Sequence, residues 1–254
     1  MGHYIVTGAG SGIGAGTAAH LRELGHRVTG VDLRGADIDA DLGSPAGRQA
    51  AIDALQPLVA DGLDGLVTCA GVGPDAPART LIPSVNFFGT TVLIEALRAP
   101  LVKAGGAVVL IASNSAIRDT DPDYLAALAD GDEPAARARA EGLEGQILYQ
   151  GSKKALVRWM RRLVPALAAD GVRINALAPG FVYSNMTRSG LEDPRYSQHI
   201  QAFLDSIPLG RGGQPADMAS AIAFLLNNDQ AGFVTGTVLF VDGGHDAVFR
   251  PDAL

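Results

Sequence analysis

Tyr149 and Lys153 stand four positions apart, a spacing that on a helix places a phenol and an ammonium on one face, one turn from each other. A phenol is a poor acid at neutral pH, with a reference pKa of about 10. A lysine charge held roughly 5 Å away, at an effective dielectric near 20, would favour the phenolate by about 3 kcal/mol, some two pKa units. That shift would bring a tyrosine into the range useful for acid/base chemistry. The same spacing is common in solvated surface pairs, so its meaning depends on its surroundings. Ser113 is the second candidate: it follows the continuous apolar run Ala107 to Ile111, which suits a central parallel strand, and ligands in open α/β sheets sit at the carboxyl ends of strands. Asn86 is the third, the polar residue that the apolar pattern does not explain on a helix expected from Ser84 to Leu97. On that helix Val85, Phe88, Val92 and Ala96 form a stripe expected to face the core or a subunit interface.

These residues need a scaffold, and the chain supplies one in repeating strand and helix units. Tyr4-Ile5-Val6 runs into Thr7-Gly8-Ala9-Gly10-Ser11-Gly12-Ile13-Gly14, and Ala15 to Leu24 reads as a helix closed by Gly25. The glycines let the backbone turn sharply and approach a pyrophosphate, whose charge the amides around Ser11, Gly12, Ile13 and Gly14 would meet at the helix N-terminus. Asp32 ends the next strand, eighteen residues after Gly14, where a carboxylate accepts both adenosine ribose hydroxyls and repels a 2′-phosphate. The expected cofactor is NAD rather than NADP, with Arg34 as the nearby cation that would serve a phosphate if the turn were arranged otherwise. Asp41 and Leu42, after a short edge strand from Ile38, are placed beside the adenine. Cys69-Ala70-Gly71 ends the apolar strand from Gly65 in small residues, beside which a dinucleotide can lie. Cys69 reads as structural, because nothing near it in sequence would activate a thiolate.

The remaining elements follow the same logic. Pro45 to Val59 is predicted as a helix capped by Ser44. Between Ser113 and Tyr149 an insertion, residues 118–146, contains two helix starts, Thr120-Asp121-Pro122 and Asp132-Glu133-Pro134. A helix is expected from Tyr149 to Ala168 and a strand from Val172 to Leu177. Ile200, Phe203, Leu204 and Ile207 have amphipathic helical spacing and place a lid over residues 185–210. A last helix, Ala216 to Leu226, and a last strand, Val238 to Val241, complete one domain over residues 1–254.

Composition narrows the function classes. Twenty basic against 27 acidic residues leave a formal charge of −7, which argues against nucleic acid or an anionic membrane as partner. One cysteine rules out an intrachain disulfide, and the five histidines lack metal-ligand spacing. An apolar strand pattern from Tyr4 onward, without a leader, points to the cytoplasm.

Thr-Gly-x-x-x-Gly-x-Gly, Asn86, Ser113, Tyr149-x-x-x-Lys153 and Pro179-Gly180 occur in one order, and the set resembles the short-chain dehydrogenase/reductase family over essentially the whole chain. The resemblance implies a single-domain α/β fold, a Rossmann-type doubly wound seven-stranded parallel sheet, and hydride transfer between a nicotinamide and an alcohol or ketone. It makes Tyr149 the acid/base, Ser113 the partner of the substrate oxygen, Lys153 a ribose contact and Asn86 the anchor of a proton-relay water. It also brings Pro179, Gly180, Val182 and Ser184 to the cofactor. Three features depart from the family pattern: Cys69 in place of asparagine, Ser184 in place of threonine, and the long serine-to-tyrosine spacing. Together with Leu191–Tyr196 and the tail Asp246–Pro251 they resemble the bacterial 3α-hydroxysteroid dehydrogenase/carbonyl reductase branch. A hydroxysteroid or another apolar carbonyl compound is the substrate this implies. A different ketone or acyl substrate, or an NAD-binding protein without catalysis, are the alternatives. The helices near Asn86 and Tyr149 commonly form a four-helix subunit interface in this family, and an insertion beside them implies a homodimer rather than a tetramer.

Overall fold

The computed structural model of the chain describes residues 1–184, 187 and 201–252. Seven parallel strands form one sheet in the order β3-β2-β1-β4-β5-β6-β7. They are β1 (His3–Thr7), β2 (Arg27–Asp32), β3 (Ile38–Asp39), β4 (Gly65–Thr68), β5 (Ala107–Ile111), β6 (Arg173–Pro179) and β7 (Val238–Val241). The central strands β4, β5 and β6 are buried throughout, as expected of parallel strands covered by helices on both faces. At the edges, β3 has two residues and β7 is only half-buried.

The helices are α1 (Gly12–Glu23), α2 (Pro45–Leu55), α3 (Leu81–Pro83), α4 (Gly89–Ala96), α5 (Arg98–Ala104), α6 (Pro122–Ala129), α7 (Glu133–Glu141), α8 (Gly145–Ala169), α9 (Pro215–Leu226), α10 (Asn228–Ala231) and α11 (His245–Phe249). Helices α1 and α9 cover one face of the sheet around Val6, Val67, Val109 and Ile222. The other face carries the larger core, to which α2, α4, α8 and the insertion all contribute. Strand order reverses between β1 and β4, so a crevice opens beyond their carboxyl ends.

Three expectations change. The helix expected over residues 84–97 is broken by a π turn, Ser84–Phe88, before α4 begins. A π turn adds a residue to the ladder and rotates the helix beyond it. The buried residues are therefore Phe87, Phe88, Leu93, Ile94 and Leu97, while Val92 of the expected stripe is exposed and Val85 and Ala96 are half-buried. Helix α8 starts four residues earlier than expected, with Glu144 rather than a residue next to Tyr149 at its N-cap, so Tyr149 sits inside a formed helix. The helix expected to reach Val59 ends at Leu55 and continues as a 3₁₀ turn through Leu58.

Both predicted helix starts in the insertion are present, capped by Asp121 and Asp132, whose carboxylates accept from Tyr124 and Ala135 N–H at 2.8 and 2.9 Å. The insertion is part of the core: Tyr124, Leu128, Ala136 and Ala140 are fully buried. Glu133 forms an ion pair with the buried Arg48 of α2, and Arg137 donates to Ser84 Oγ at 2.8 Å. Of the expected lid, residues 185, 186 and 188–200 lie outside the described residues, Leu191–Tyr196 among them. Its end is described: Phe203 stacks near Phe181 and His245, and Ile207 is buried.

Candidate active site

Every residue placed beside the dinucleotide from the sequence, from Gly8 to Ser184, lines one cleft of about 370 Å³ at the strand ends. The glycine loop is shaped by contacts that leave no room for a side chain. Gly8 has φ +69°, and a Cβ there would meet the Ala70 nitrogen at 2.7 Å; a Cβ on Gly14 would run into the Gly8 carbonyl. Helix α1 has no side-chain cap at Ser11 and no acidic residue in its first turn. Its leading amides are left to the cleft, a donor set that fits a pyrophosphate. Asp32 accepts from Gly10 N–H at 2.8 Å and Leu33 N–H at 2.6 Å, which fixes its carboxylate at the cleft edge with lone pairs to spare. Leu33 lines the cleft whereas Arg34 does not. Cys69 is a cleft residue, but burial pushes its thiol up to about 12, against the opposing Lys153 charge and a Thr17 hydrogen bond.

At the other end of the cleft, β5 delivers Ser113 and α8 delivers Tyr149 and Lys153. Ser113 Oγ accepts two hydrogen bonds from Ser115, from its N–H at 3.1 Å and its hydroxyl at 2.9 Å. Its own proton is therefore left for the cleft, which Tyr149 also lines. Lys153 Nζ donates to Ile111 O at 2.8 Å and lies 5.8 Å from the centre of the Tyr149 ring. The expected lowering of the tyrosine pKa by lysine is not found. Burial raises the Tyr149 pKa, and the hydrogen bond from Ser113 is what opposes the rise. Lysine is itself pushed down to about 8 by burial, and its ammonium is bound to the Ile111 carbonyl. Asn86 is wholly buried and its side chain makes three hydrogen bonds. Oδ1 accepts from Val72 N–H at 2.8 Å, and Nδ2 donates to Val72 O at 3.1 Å and to Ser152 Oγ at 3.2 Å. It fastens the segment after β4 to the helix that carries Tyr149, with both Nδ2 protons spent and one Oδ1 lone pair over.

A dehydrogenase of Comamonas testosteroni, named 3-alpha-hydroxysteroid dehydrogenase/carbonyl reductase, is 40% identical to this chain over 99% of both. The chain belongs to the short-chain dehydrogenase/reductase family. Within it, the crystal structure of the 3-alpha-hydroxysteroid dehydrogenase from Pseudomonas sp. B-0831 complexed with NADH superposes with a TM-score of 0.93 at 40% identity, covering 99% of this chain and all of that one. A galactitol 2-dehydrogenase of Cereibacter sphaeroides is 30% identical over 94% of this chain and 93% of its own length. Residues 136–246 match a family model described as Enoyl-(Acyl carrier protein) reductase. The chain is thus a short-chain oxidoreductase with the seven-stranded fold of that family. Among the described residues no cluster of metal-ligating side chains occurs, and no single helix is long and apolar enough to cross a membrane.

Several residues of this short-chain dehydrogenase site were not anticipated. Ser115 sets the direction of the Ser113 hydroxyl, and the Ser-Asn-Ser repeat at 113–115 was the available signal. Thr7 Oγ1 accepts from Ala70 N–H at 3.1 Å and ties β1 to the end of β4. Thr187 lines the cleft beside Ser184, to whose N–H its hydroxyl offers an acceptor at 3.0 Å. It supplies a threonine near the position where the family pattern expects one.

Proposed function

We propose that the protein is an NAD-dependent oxidoreductase that moves a hydride between nicotinamide and a secondary alcohol or its ketone, with a 3α-hydroxysteroid or similarly apolar carbonyl compound as substrate. The observation that carries this reading is the meeting of Ser113, Tyr149 and Lys153 at one end of the cleft whose other end holds the uncapped glycine loop and Asp32. The steroid is suggested by what the relatives from Comamonas and Pseudomonas are named for. A bound nicotinamide supplies or takes up the hydride.

The chain's residues do the rest. In reduction Tyr149 gives its proton to the substrate oxygen; in oxidation its phenolate takes the hydroxyl proton. Ser113, its acceptor capacity filled by Ser115, donates to that oxygen and stabilises charge there. Lys153, anchored on Ile111 O, keeps protons for a ribose hydroxyl and a positive charge behind the phenol. Asn86 holds the wall opposite Tyr149 through Val72 and Ser152. Asp32 would favour NAD, because a second phosphate would meet a carboxylate and no cleft-lining Arg34.

Mixing the protein with NAD and a 3α-hydroxysteroid should produce NADH fluorescence, at a higher rate than NADP gives with the same alcohol. No product across a panel of steroid and small secondary alcohols would overturn the reading. The insertion packs on α8 and on the turn before α4, the surface used for four-helix assembly in the family, which supports a homodimer; a four-subunit mass by light scattering would count against it. A single cysteine, without an intrachain disulfide partner, fits a reducing compartment, and the cytoplasmic location proposed on that basis is to be checked by cell fractionation.

A further inference from the structure

Arg48 is a buried cation that takes no part in the chemistry of Ser113, Tyr149 and Lys153. Its side chain, on α2, is 5% exposed, and that of its ion-pair partner Glu133, on α7, is 15% exposed. Arg48 Nη1 donates to Leu42 O, Ser84 O and Glu133 Oε1, each at 3.3 Å, and Nη2 donates to Glu133 Oε2. A charge is tolerated in such a place only when it is paired and hydrogen-bonded. The carboxylate that pairs it comes from the insertion. The carbonyls come from two segments that wall the cofactor cleft.

Leu42 lies in the turn Asp41-Leu42-Gly43, all of which lines the cleft, and Val85, next to Ser84, lines it beside them. The two segments touch: a Cβ on Gly43 would stand 3.0 Å from Val85 Cγ2, and one on Gly89 3.1 Å from Leu42 O. Among the described residues, the Leu42 carbonyl accepts only from Arg48. The Ser84 carbonyl also accepts the Gly89 N–H, which closes the π turn Ser84–Phe88. Arg137, one helical turn after Glu133, donates to Ser84 Oγ at 2.8 Å. Helix α7 therefore grips Ser84 by its hydroxyl directly and by its carbonyl through Arg48. Glu133 stands in the first turn of α7, where the helix dipole favours a carboxylate.

We infer that Glu133 and Arg48 are positioning residues for the adenosine half of the cofactor, and that the insertion acts through them to fix the Asp41-Leu42-Gly43 turn against the π turn. This rests on the reading that the end of the cleft beside Asp32, Asp41 and Leu42 takes adenosine. Neither side chain lines the cleft; both act through the Leu42 and Ser84 carbonyls. A wall already held in its binding shape spares the ligand the cost of ordering it. Loosening that wall should weaken every ligand that carries an adenosine half.

The test is calorimetric titration of the full chain with AMP and with NADH. Glu133→Gln leaves Arg48 with a neutral partner in place of the carboxylate, and AMP and NADH should each bind about tenfold more weakly. Glu133→Asp, which keeps the charge on a shorter arm, should recover part of the loss. In Arg48→Met/Glu133→Leu the pair gives way to apolar side chains, an exchange that often leaves a fold as stable as before. A role confined to stability predicts wild-type AMP affinity there. The positioning role predicts that the loss of about tenfold persists although the urea midpoint is unchanged. In turnover, the loss should fall on the KM for NAD and not on the KM for the alcohol. Wild-type AMP affinity in Glu133→Gln or in the double variant would overturn the inference and leave the cofactor assignment intact. A wild-type protein that binds neither AMP nor NADH would overturn both, since there would be no adenosine site for the pair to shape.

Discussion

The two ends of the cleft are built differently. At the nucleotide end the backbone does the work: close-packed glycines, uncapped amides of α1 and a carboxylate fixed by two N–H groups. At the reacting end side chains from β5, α8 and the residues after β4 converge, and each is oriented by another side chain or a carbonyl. The nucleotide end is defined by what cannot fit. The reacting end is defined by where protons point. A methyl group is thus the sharpest probe of the first, and removal of a single oxygen or charge the sharpest probe of the second.

The largest contrast should come from Tyr149→Phe, which takes away one oxygen: kcat is expected to fall by about 10³-fold or more while the affinity for NAD, by fluorescence titration, stays near wild type. Near-wild-type turnover would break the division of labour. Gly14→Ala adds one methyl at the other end, against the Gly8 carbonyl. It should cost roughly 3 kcal/mol in urea unfolding and most of the NAD affinity; a variant that is stable and still binds NAD would show that the loop is looser than its contacts indicate.

Lys153 permits a test by pH. With a folded pKa of about 8 against the usual 10.5, the unfolded chain holds more protons between those values, so stability should rise with pH there, by up to about 3 kcal/mol. In Lys153→Met this rise should vanish from urea melts taken between pH 8 and 10. The smallest effect is expected at Tyr124, whose buried hydroxyl has no partner among the described residues. Tyr124→Phe should stabilise the protein by about 1 kcal/mol and leave turnover unchanged, and a loss of stability would mean that the hydroxyl has a partner.

The same difference explains what could be read from the sequence. Glycine spacing, the strand-end Asp32 and the helix starts at Asp121 and Asp132 are short-range signals set by local backbone geometry, and the structure holds them where expected. The proton network was less legible. Tyr-x-x-x-Lys gives the spacing of two groups and says nothing of their burial, which raises the Tyr149 pKa, so the sign of the shift came out reversed. The apolar stripe through Val92 failed because a π turn changes the period, and nothing in Ser84-Val85-Asn86-Phe87-Phe88 announces one. Arg48 stayed unread since its partners, Glu133 and the Ser84 carbonyl, are brought to it only by the completed fold.

Gly151 lies halfway between Tyr149 and Lys153, deep in a helix where glycine costs about 1 kcal/mol relative to alanine. A Cβ there would stand 2.9 Å from the Tyr124 ring and collide with the Thr120 hydroxyl. Glycine and insertion are therefore coupled through packing: without residues 118–146 a bare notch would be left in α8, and a side chain at position 151 would have to displace Thr120 and Tyr124 from their seat.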